Sequence, residues 1–222
     1  YHSLMQFFRY LVDEEEIPVS PMAKMKPPKV PEQPVPIFEP GALEAILKTC
    51  AGKAFAERRD TAIIRLFYAT GVRLDELASL HLSDLSGALD LATVMGKGRR
   101  ERQAPIDPRT AHAIDRYLRS RRQHTHSRLP HVWLGQRGRL TSNGVYQMLR
   151  RRAREAGVVG KVNPHRFRHT WAHWLLAHGA SEGDVMALAG WQSRQMVDRY
   201  GKAAAMTRAI AAARRLAPGE SI

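Results

Sequence analysis

The chain has 222 residues, enough for one large domain or one domain plus a fragment, and a hydrophobic fraction of 44%, an ordinary supply for a packed core. Its 35 Lys and Arg against 21 Asp and Glu give a formal net charge of +14, which points to a polyanionic partner, nucleic acid before membrane. The lone cysteine, Cys50, excludes an intramolecular disulfide and fits a reducing cytoplasm, and no apolar run is long enough to cross a membrane.

Residues 1–16 carry Leu4, Phe7, Phe8, Leu11 and Val12 on one face of an expected amphipathic helix. No short connection supplies that face with a partner and the chain does not begin with Met, so the partners are expected upstream. Ile17 to Pro40 is rich in proline, which forbids helix and favours an extended linker, and Lys24, Lys26 and Lys29 give it a positive track. The expected division is a helical remnant at 1–17, a linker at 18–40 and the main domain at 41–222.

Within that domain a short helix is expected from Gly41 to Thr49. A longer one runs from Ala54 to Thr70, with Ala62, Ile63, Leu66, Phe67 and Tyr68 apolar and Gly71 suited to its end. A short helix follows Arg73, with Leu74, Leu77 and Leu80 inward. Leu89 to Met95 has strand character, Gly-Lys-Gly at 96–98 is a hairpin turn, and Arg102 to Ile106 is the return strand. Asp107 caps and Pro108 opens a helix to about Arg122. Val132 to Leu134 is a candidate third strand. Thr141 to Ala156 is a basic helix ended by Gly157. Another runs from Pro164 to near Gly179, and Ser181 caps a short one to Ala189. A brief segment at 194–200 and an Ala-rich helix at 203–216 finish the chain. The fold class is mainly α with a small antiparallel β-sheet (α+β).

The positive charge is clustered. Arg99, Arg100 and Arg102 form one group, Arg119, Arg121 and Arg122 a second, and Arg150, Arg151, Arg152 and Arg154 a third. The densest functional stretch is NPHRFRHTWAH at 163–173. Asn163 is a natural N-cap and Pro164 a natural first helical residue, so His165, Arg166, Arg168 and His169 fall in the first turns of a helix. A helix start carries partial positive charge and unsatisfied N–H groups, so these side chains complete a site for an anion, most naturally phosphate. His165, His169 and His173 are spaced four apart, but no carboxylate lies between them and the second His is followed by Thr170, so a metal site is not expected.

Separated elements thus offer side chains suited to one phosphodiester. Arg73 and Arg168 supply bidentate donors, His165 a group that exchanges protons near neutrality, Lys97 a cation at a hairpin tip and Tyr200 a candidate nucleophile. In this order and spacing the motifs resemble those of the tyrosine recombinases, or phage-type integrases. ATGVRLDEL resembles the family's first arginine motif and VMGKGRRERQAPI its β-hairpin lysine motif. NPHRFRHTWAHWLLAHGA resembles its His-x-x-Arg box and LAGWQSRQMVDRY its final segment. YLVDEEEIPVSPMAKMKPPKVP resembles the last helix of a core-binding domain followed by the interdomain linker.

That resemblance implies a tyrosine recombinase catalytic-domain fold at 41–222, preceded by a core-binding remnant. Arg73 and Arg168 are then the catalytic arginines, Lys97 the general acid for the leaving 5′ oxygen, and His165 a proton-transfer group. Tyr200 forms a 3′-phosphotyrosine link, and Trp191 stands where most of the family has histidine. Glu76 and His169 support the site. Lys24, Lys26, Lys29, Arg99, Arg100, Arg150, Arg151 and Arg166 are expected on DNA. The implied partners are double-stranded DNA carrying recombination sites, further copies in a tetramer and accessory directionality proteins. No cofactor, metal or membrane is implied, and the location is cytoplasmic and nucleoid-associated. A relaxing enzyme of the type IB topoisomerase kind and a non-catalytic DNA-binding protein are the alternatives. A tyrosine hydroxyl has a pKa of about 10, so forming the phenolate at pH 7 costs roughly 4 kcal/mol. Two nearby guanidinium groups lower that cost and stabilise charge on pentavalent phosphorus, so neither ATP nor metal is required.

Overall fold

A computed structural model describes residues 1–28, 36–96, 100–160, 162–197, 209–210 and 213–214. The chain divides into two compact units, Tyr1–Pro34 and Val35–Ile222. In the first, α1 (His2–Asp13) has no buried residue, and its apolar face is open, with Leu4 54% and Phe7 52% exposed. Beyond it, Glu15 takes a left-handed turn and the Tyr1 hydroxyl donates to the Met25 carbonyl.

The second unit is built around α3 (Phe55–Thr70). Glu57 accepts from the Ala54 N–H at 2.9 Å and starts the helix. Ile63, Leu66 and Phe67 are fully buried on it. It packs against α5 (Pro108–Arg121) and α7 (Pro164–Ala177). Asp107 caps α5 by accepting from the N–H groups of Arg109 and Thr110. The short α2 (Ala42–Lys48) and α6 (Ser142–Glu155) close the core. A smaller apolar cluster joins Trp171, Ala172 and Leu176 of α7 to Val185 and Ala189 of α8 (Glu182–Ala189), together with Trp191 and Val197. Residues 36–38 lie against α7. Phe38 N–H donates to Thr170 Oγ1 at 2.9 Å, and the Phe38 ring meets Phe167 with centroids 4.7 Å apart.

The strands depart from expectation. Leu91–Met95 (β1) and Glu101–Pro105 (β2) form one antiparallel hairpin. The segment near Val132 does not add to it. Instead Leu134–Gly135 (β3) pairs with Gly138–Arg139 (β4) in a second two-stranded sheet, while Val132 N–H donates to Leu80 O. Gly138, at φ +120°, makes that tight reversal possible. Two aromatic side chains of these helices are exposed, one against expectation. Tyr68 is 37% exposed because it lies five residues, about 140°, around α3 from Ile63. Trp174 is 47% exposed and stacks on His178. The buried face of α7 turns from Phe167 toward Ala172 and Leu176, which leaves Trp174 at its edge.

Much of the charge is used inside. Asp60 is fully buried, and Arg59 donates to its Oδ1 at 2.7 Å while Arg152 and Arg151 reach Oδ2 at 2.8 and 3.1 Å. Arg121 is buried too, donating to the carbonyls of Ser127, Leu129, His131 and Val132. Removing one partner of a buried ion pair costs about 3–5 kcal/mol. Asp60→Ala is therefore expected to lower the melting temperature by about 10 °C, measured by circular dichroism. Arg151→Gln, at a half-exposed partner, is expected to cost less than about 1 kcal/mol.

Candidate active site

Gly71 ends α3 at φ +59°, and a Cβ there would stand 2.3 Å from Trp171 Cε3, so the close approach of the chain to α7 requires glycine. Two residues later Arg73 sits at the N-cap of α4 (Leu74–Ser79). Glu76, in the first turn of α4, is 5% exposed and binds it twice. Its Oε2 accepts from the Arg73 N–H and its Oε1 from Arg73 Nη1, each at 2.7 Å. The helix cap and the aim of the first arginine are thus one device.

Glu76 has a third donor that sequence motifs did not identify. Arg102 on β2 gives Nη2 to Glu76 Oε2 at 2.7 Å and Nε to Leu188 O at 2.8 Å. Its Nη1 is buried with no partner among the described residues. The signal available in sequence was the position of Arg102 in the return strand. Within the charge cluster at 99–102 only that strand position separates it from Arg99 and Arg100. Burial works against the Glu76 carboxylate, but the hydrogen bonds from Arg102 and Arg73 and the Arg102 charge outweigh it and hold its pKa below the ordinary value.

Arg168 occupies the middle of the arrangement. Only 4% exposed, it gives Nη1 to Gly71 O at 2.6 Å and Nη2 to Ala189 O. Its guanidinium carbon lies 5.0 Å from the centre of the buried Trp191 ring. One side chain therefore holds the turn before Arg73 and the turn before Trp191. Gly190, at φ +64°, allows the second turn to come close. A Cβ there would be 3.3 Å from Arg102 Cδ and 4.0 Å from Arg73 Nη1. The hairpin arrives at the same place, since a Cβ on Gly96 would lie 3.9 Å from Glu76 Oε1. His165 is exposed in the first turn of α7, where Asn163 Oδ1 accepts the Arg166 N–H, and its ring centroid is 6.2 Å from that of His169.

Arg73, Glu76, Arg168 and Trp191 are thus brought together, with Gly96 beside them and His165 on the helix that carries Arg168. Lys97, Arg99, Lys29 and Tyr200 lie outside the described residues, as does most of the expected helix at 203–216. Among the described tyrosines, Tyr117 is fully buried, donates to Val132 O, and burial pushes its pKa up to about 12. Lys24, Lys26, Arg100 and Arg150 are exposed, Arg150 over the Tyr146 ring. Two residues expected on DNA have internal partners. Arg166 donates to Ile37 O from Nε and Nη2 and covers the Phe38 ring at 4.6 Å, because its place in α7 faces residues 36–38. Arg151 bridges Asp60 and Glu155. No group of three or more metal-ligating side chains occurs among the described residues.

The phage integrase family is matched by residues 37–206. The chain belongs to that family, the tyrosine recombinases. The XerC tyrosine recombinase of Myxococcus xanthus is 32% identical over 204 residues, covering 89% of this chain and 68% of the relative. The XerD tyrosine recombinase of Lacticaseibacillus casei is 32% identical over 191 residues, covering 85% and 65%. Among solved structures, a XerH site-specific recombinase bound to difH substrate superposes with TM-score 0.69 at 20% identity over 89% of this chain and 59% of that one. A lambda integrase dimer bound to a core site gives 0.66 at 16% identity, over 90% and 57%. The chain thus spans about two thirds of these curated relatives and less than that of these two solved chains. Its fold is the tyrosine recombinase catalytic fold and its reaction is DNA strand breakage and rejoining. The relatives support site-specific recombination over relaxation or binding without catalysis.

Because the Glu76 pKa is depressed in the fold, its stabilisation is fully present above about pH 4.5 and is lost as pH falls through the lower folded value. Glu76→Gln is expected to cost about 2–3 kcal/mol near neutrality. Denaturant titrations of both proteins should show that gap narrowing below pH 4.5. A gap independent of pH would show that the carboxylate charge does not stabilise the turn.

Proposed function

We propose that this chain carries the strand-exchange centre of a site-specific DNA recombinase. Arg73 and Arg168 bind the scissile phosphate, Tyr200 is the nucleophile, Lys97 the general acid, and His165 the proton-transfer group. The observation that carries the reading is the pairing of Arg168 with Gly71 O and Ala189 O, which holds the Arg73 and Trp191 turns around one point. A guanidinium has five N–H donors, so Arg168 combines main-chain bonds with phosphate binding. Glu76 and Arg102 position Arg73, His169 supports His165, and the Trp191 indole, a donor only, contributes an N–H to a phosphate oxygen.

The reaction balances without a cofactor. The Tyr200 oxygen attacks phosphorus, its proton passes to His165, and the bond to the 5′ oxygen breaks. That oxygen takes a proton from Lys97 and leaves as a 5′-hydroxyl, while DNA remains joined through a 3′-phosphotyrosine. Attack by the 5′-hydroxyl of another strand reverses each step, and the phosphodiester bond energy is conserved in the covalent link. The guanidinium groups act where charge develops and are held before substrate arrives.

The whole protein is proposed to add a core-binding domain, of which 1–17 is the last helix and 18–40 the linker, to the catalytic domain at 41–222. It acts as a tetramer on two duplexes, with accessory proteins setting direction, in the cytoplasm and on the nucleoid. Lys24, Lys26, Lys29, Arg99, Arg100 and Arg150 supply phosphate contacts. Arg151 and Arg166 contribute through the surfaces they brace.

The test is a nicked suicide substrate carrying the cognate site, at low salt with EDTA present. A protein–DNA adduct that survives denaturation is expected from wild type and not from Tyr200→Phe, whose DNA affinity should be unchanged. An adduct retained in the variant would remove Tyr200 as nucleophile. Arg102→Gln is expected to slow adduct formation by about 10-fold or more, as loss of a group that preorganises the site. If about 6–10 phosphates are contacted, affinity should fall roughly 10³- to 10⁵-fold between 50 and 200 mM salt. A flat salt response would exclude phosphate contacts as the main source of affinity.

A further inference from the structure

We infer that the cavity between α2, α3 and α5 binds a phosphate-bearing anion of about nucleotide size. The cavity has a volume of about 660 Å³ and shares no residue with the strand-exchange centre. That volume is in the range of small-ligand sites. Two helices present matched faces to it. Arg58, Thr61 and Arg65 line it from α3, and Arg109, His112 and Arg116 line it from α5, both at spacing i, i+3, i+7, which is one helix face. Lys48 adds a fifth cation from the end of α2, and Glu44 is the only acid in the lining. Leu47, Ala51, Pro108 and Ala113 add apolar surface to the lining.

Among the described residues the cluster has no acid at ion-pair distance, Asp107 at the start of α5 acting on Arg65 only through space. By contrast Asp60 takes three arginines, Glu76 two, and Asp115 takes Arg119. Here none of Lys48, Arg58, Arg65, Arg109 and Arg116 has an acid within ion-pair distance among the described residues, although all five line one cavity. Like charges gathered this way repel and raise the local positive potential, which an anion relieves. Arg58 Nε is moreover buried without a hydrogen-bond partner, a donor that nothing in the surrounding protein satisfies. Arginine forks match phosphate oxygens in pairs. A lining that mixes five cations with apolar side chains suits a ligand that joins phosphates to a flat ring, as a nucleotide does. The phosphates come either from a free nucleotide or from a DNA strand, and the recognition chemistry is the same.

The experiment uses the intact chain and isothermal titration with ATP, tripolyphosphate and adenosine, without metal, at fixed ionic strength. ATP is expected to bind more tightly than tripolyphosphate, and adenosine least. The double variant Arg58→Gln, Arg116→Gln should weaken ATP at least 10-fold. Arg119→Gln, on the same helix but outside the cavity, should leave it unchanged. The cavity arginines make no side-chain hydrogen bonds in the fold, so the double variant should melt with wild type, which separates loss of a ligand site from loss of the fold. Duplex DNA binding is measured on the same proteins. A matching loss there assigns the phosphates to DNA, and unchanged DNA binding assigns them to a free nucleotide. No ATP or tripolyphosphate binding, or binding that survives the double variant, overturns the inference.

Discussion

The Arg168 guanidinium is the constraint on which the rest of the centre depends. It joins a carbonyl 97 residues earlier to one 21 residues later. A buried cation is tolerable only when its N–H groups are satisfied, and the Gly71 and Ala189 carbonyls answer part of that demand. The glycines fall where this arrangement brings backbone close. Gly71 lies under Trp171 and Gly190 beside Arg102, both at positive φ.

Arg73 is handled differently. Its charge is balanced by Glu76, but Glu76 also receives Arg102, so the trio carries one net positive charge. The helix cap is made by the same carboxylate, so the local start of α4 and the aim of Arg73 stand or fall together. Arg102 in turn holds Leu188 O, next to the carbonyl that Arg168 holds. The two arginine systems therefore meet on α8 at adjacent residues, and a disturbance at one reaches the other through a single peptide unit.

Much of this was legible in the sequence because it is local. Asn163–Pro164, Asp107–Pro108 and Ser181 announce their helices by cap chemistry, and each is seen with its side-chain oxygen accepting the expected N–H. Among the described site residues, Arg73 stands at the N-cap of α4, His165 and Arg168 in the opening turns of α7, and Trp191 just after the Gly190 turn, all places that local pattern marks. The rest depends on tertiary partners that no local pattern encodes. Arg102, Arg121 and Arg152 each sit in a run of arginines that looks uniformly solvated, yet each points inward to a carboxylate or carbonyl supplied from elsewhere in the chain. Arg166 was assigned to DNA from its place in the anion-binding turn, but residues 36–38 fold over it. Tyr68 departs from expectation for a related reason. Helical spacing says which residues share a face, not how far the covering element extends.

Net charge accordingly misleads in both directions. Part of the +14 is consumed by interior roles, where arginine is chosen for a planar fork that satisfies several acceptors at once. What remains is not spread evenly. Arg59, Arg73, Arg102, Arg151 and Arg152 have acid partners in or beside the core, whereas five cations without an acid at ion-pair distance among the described residues gather at the α2–α3–α5 cavity. A solvated surface chosen only for solubility would intersperse the two signs. Five cations on one cavity, with the Arg58 Nε buried and unsatisfied, call for negative charge from something the protein binds.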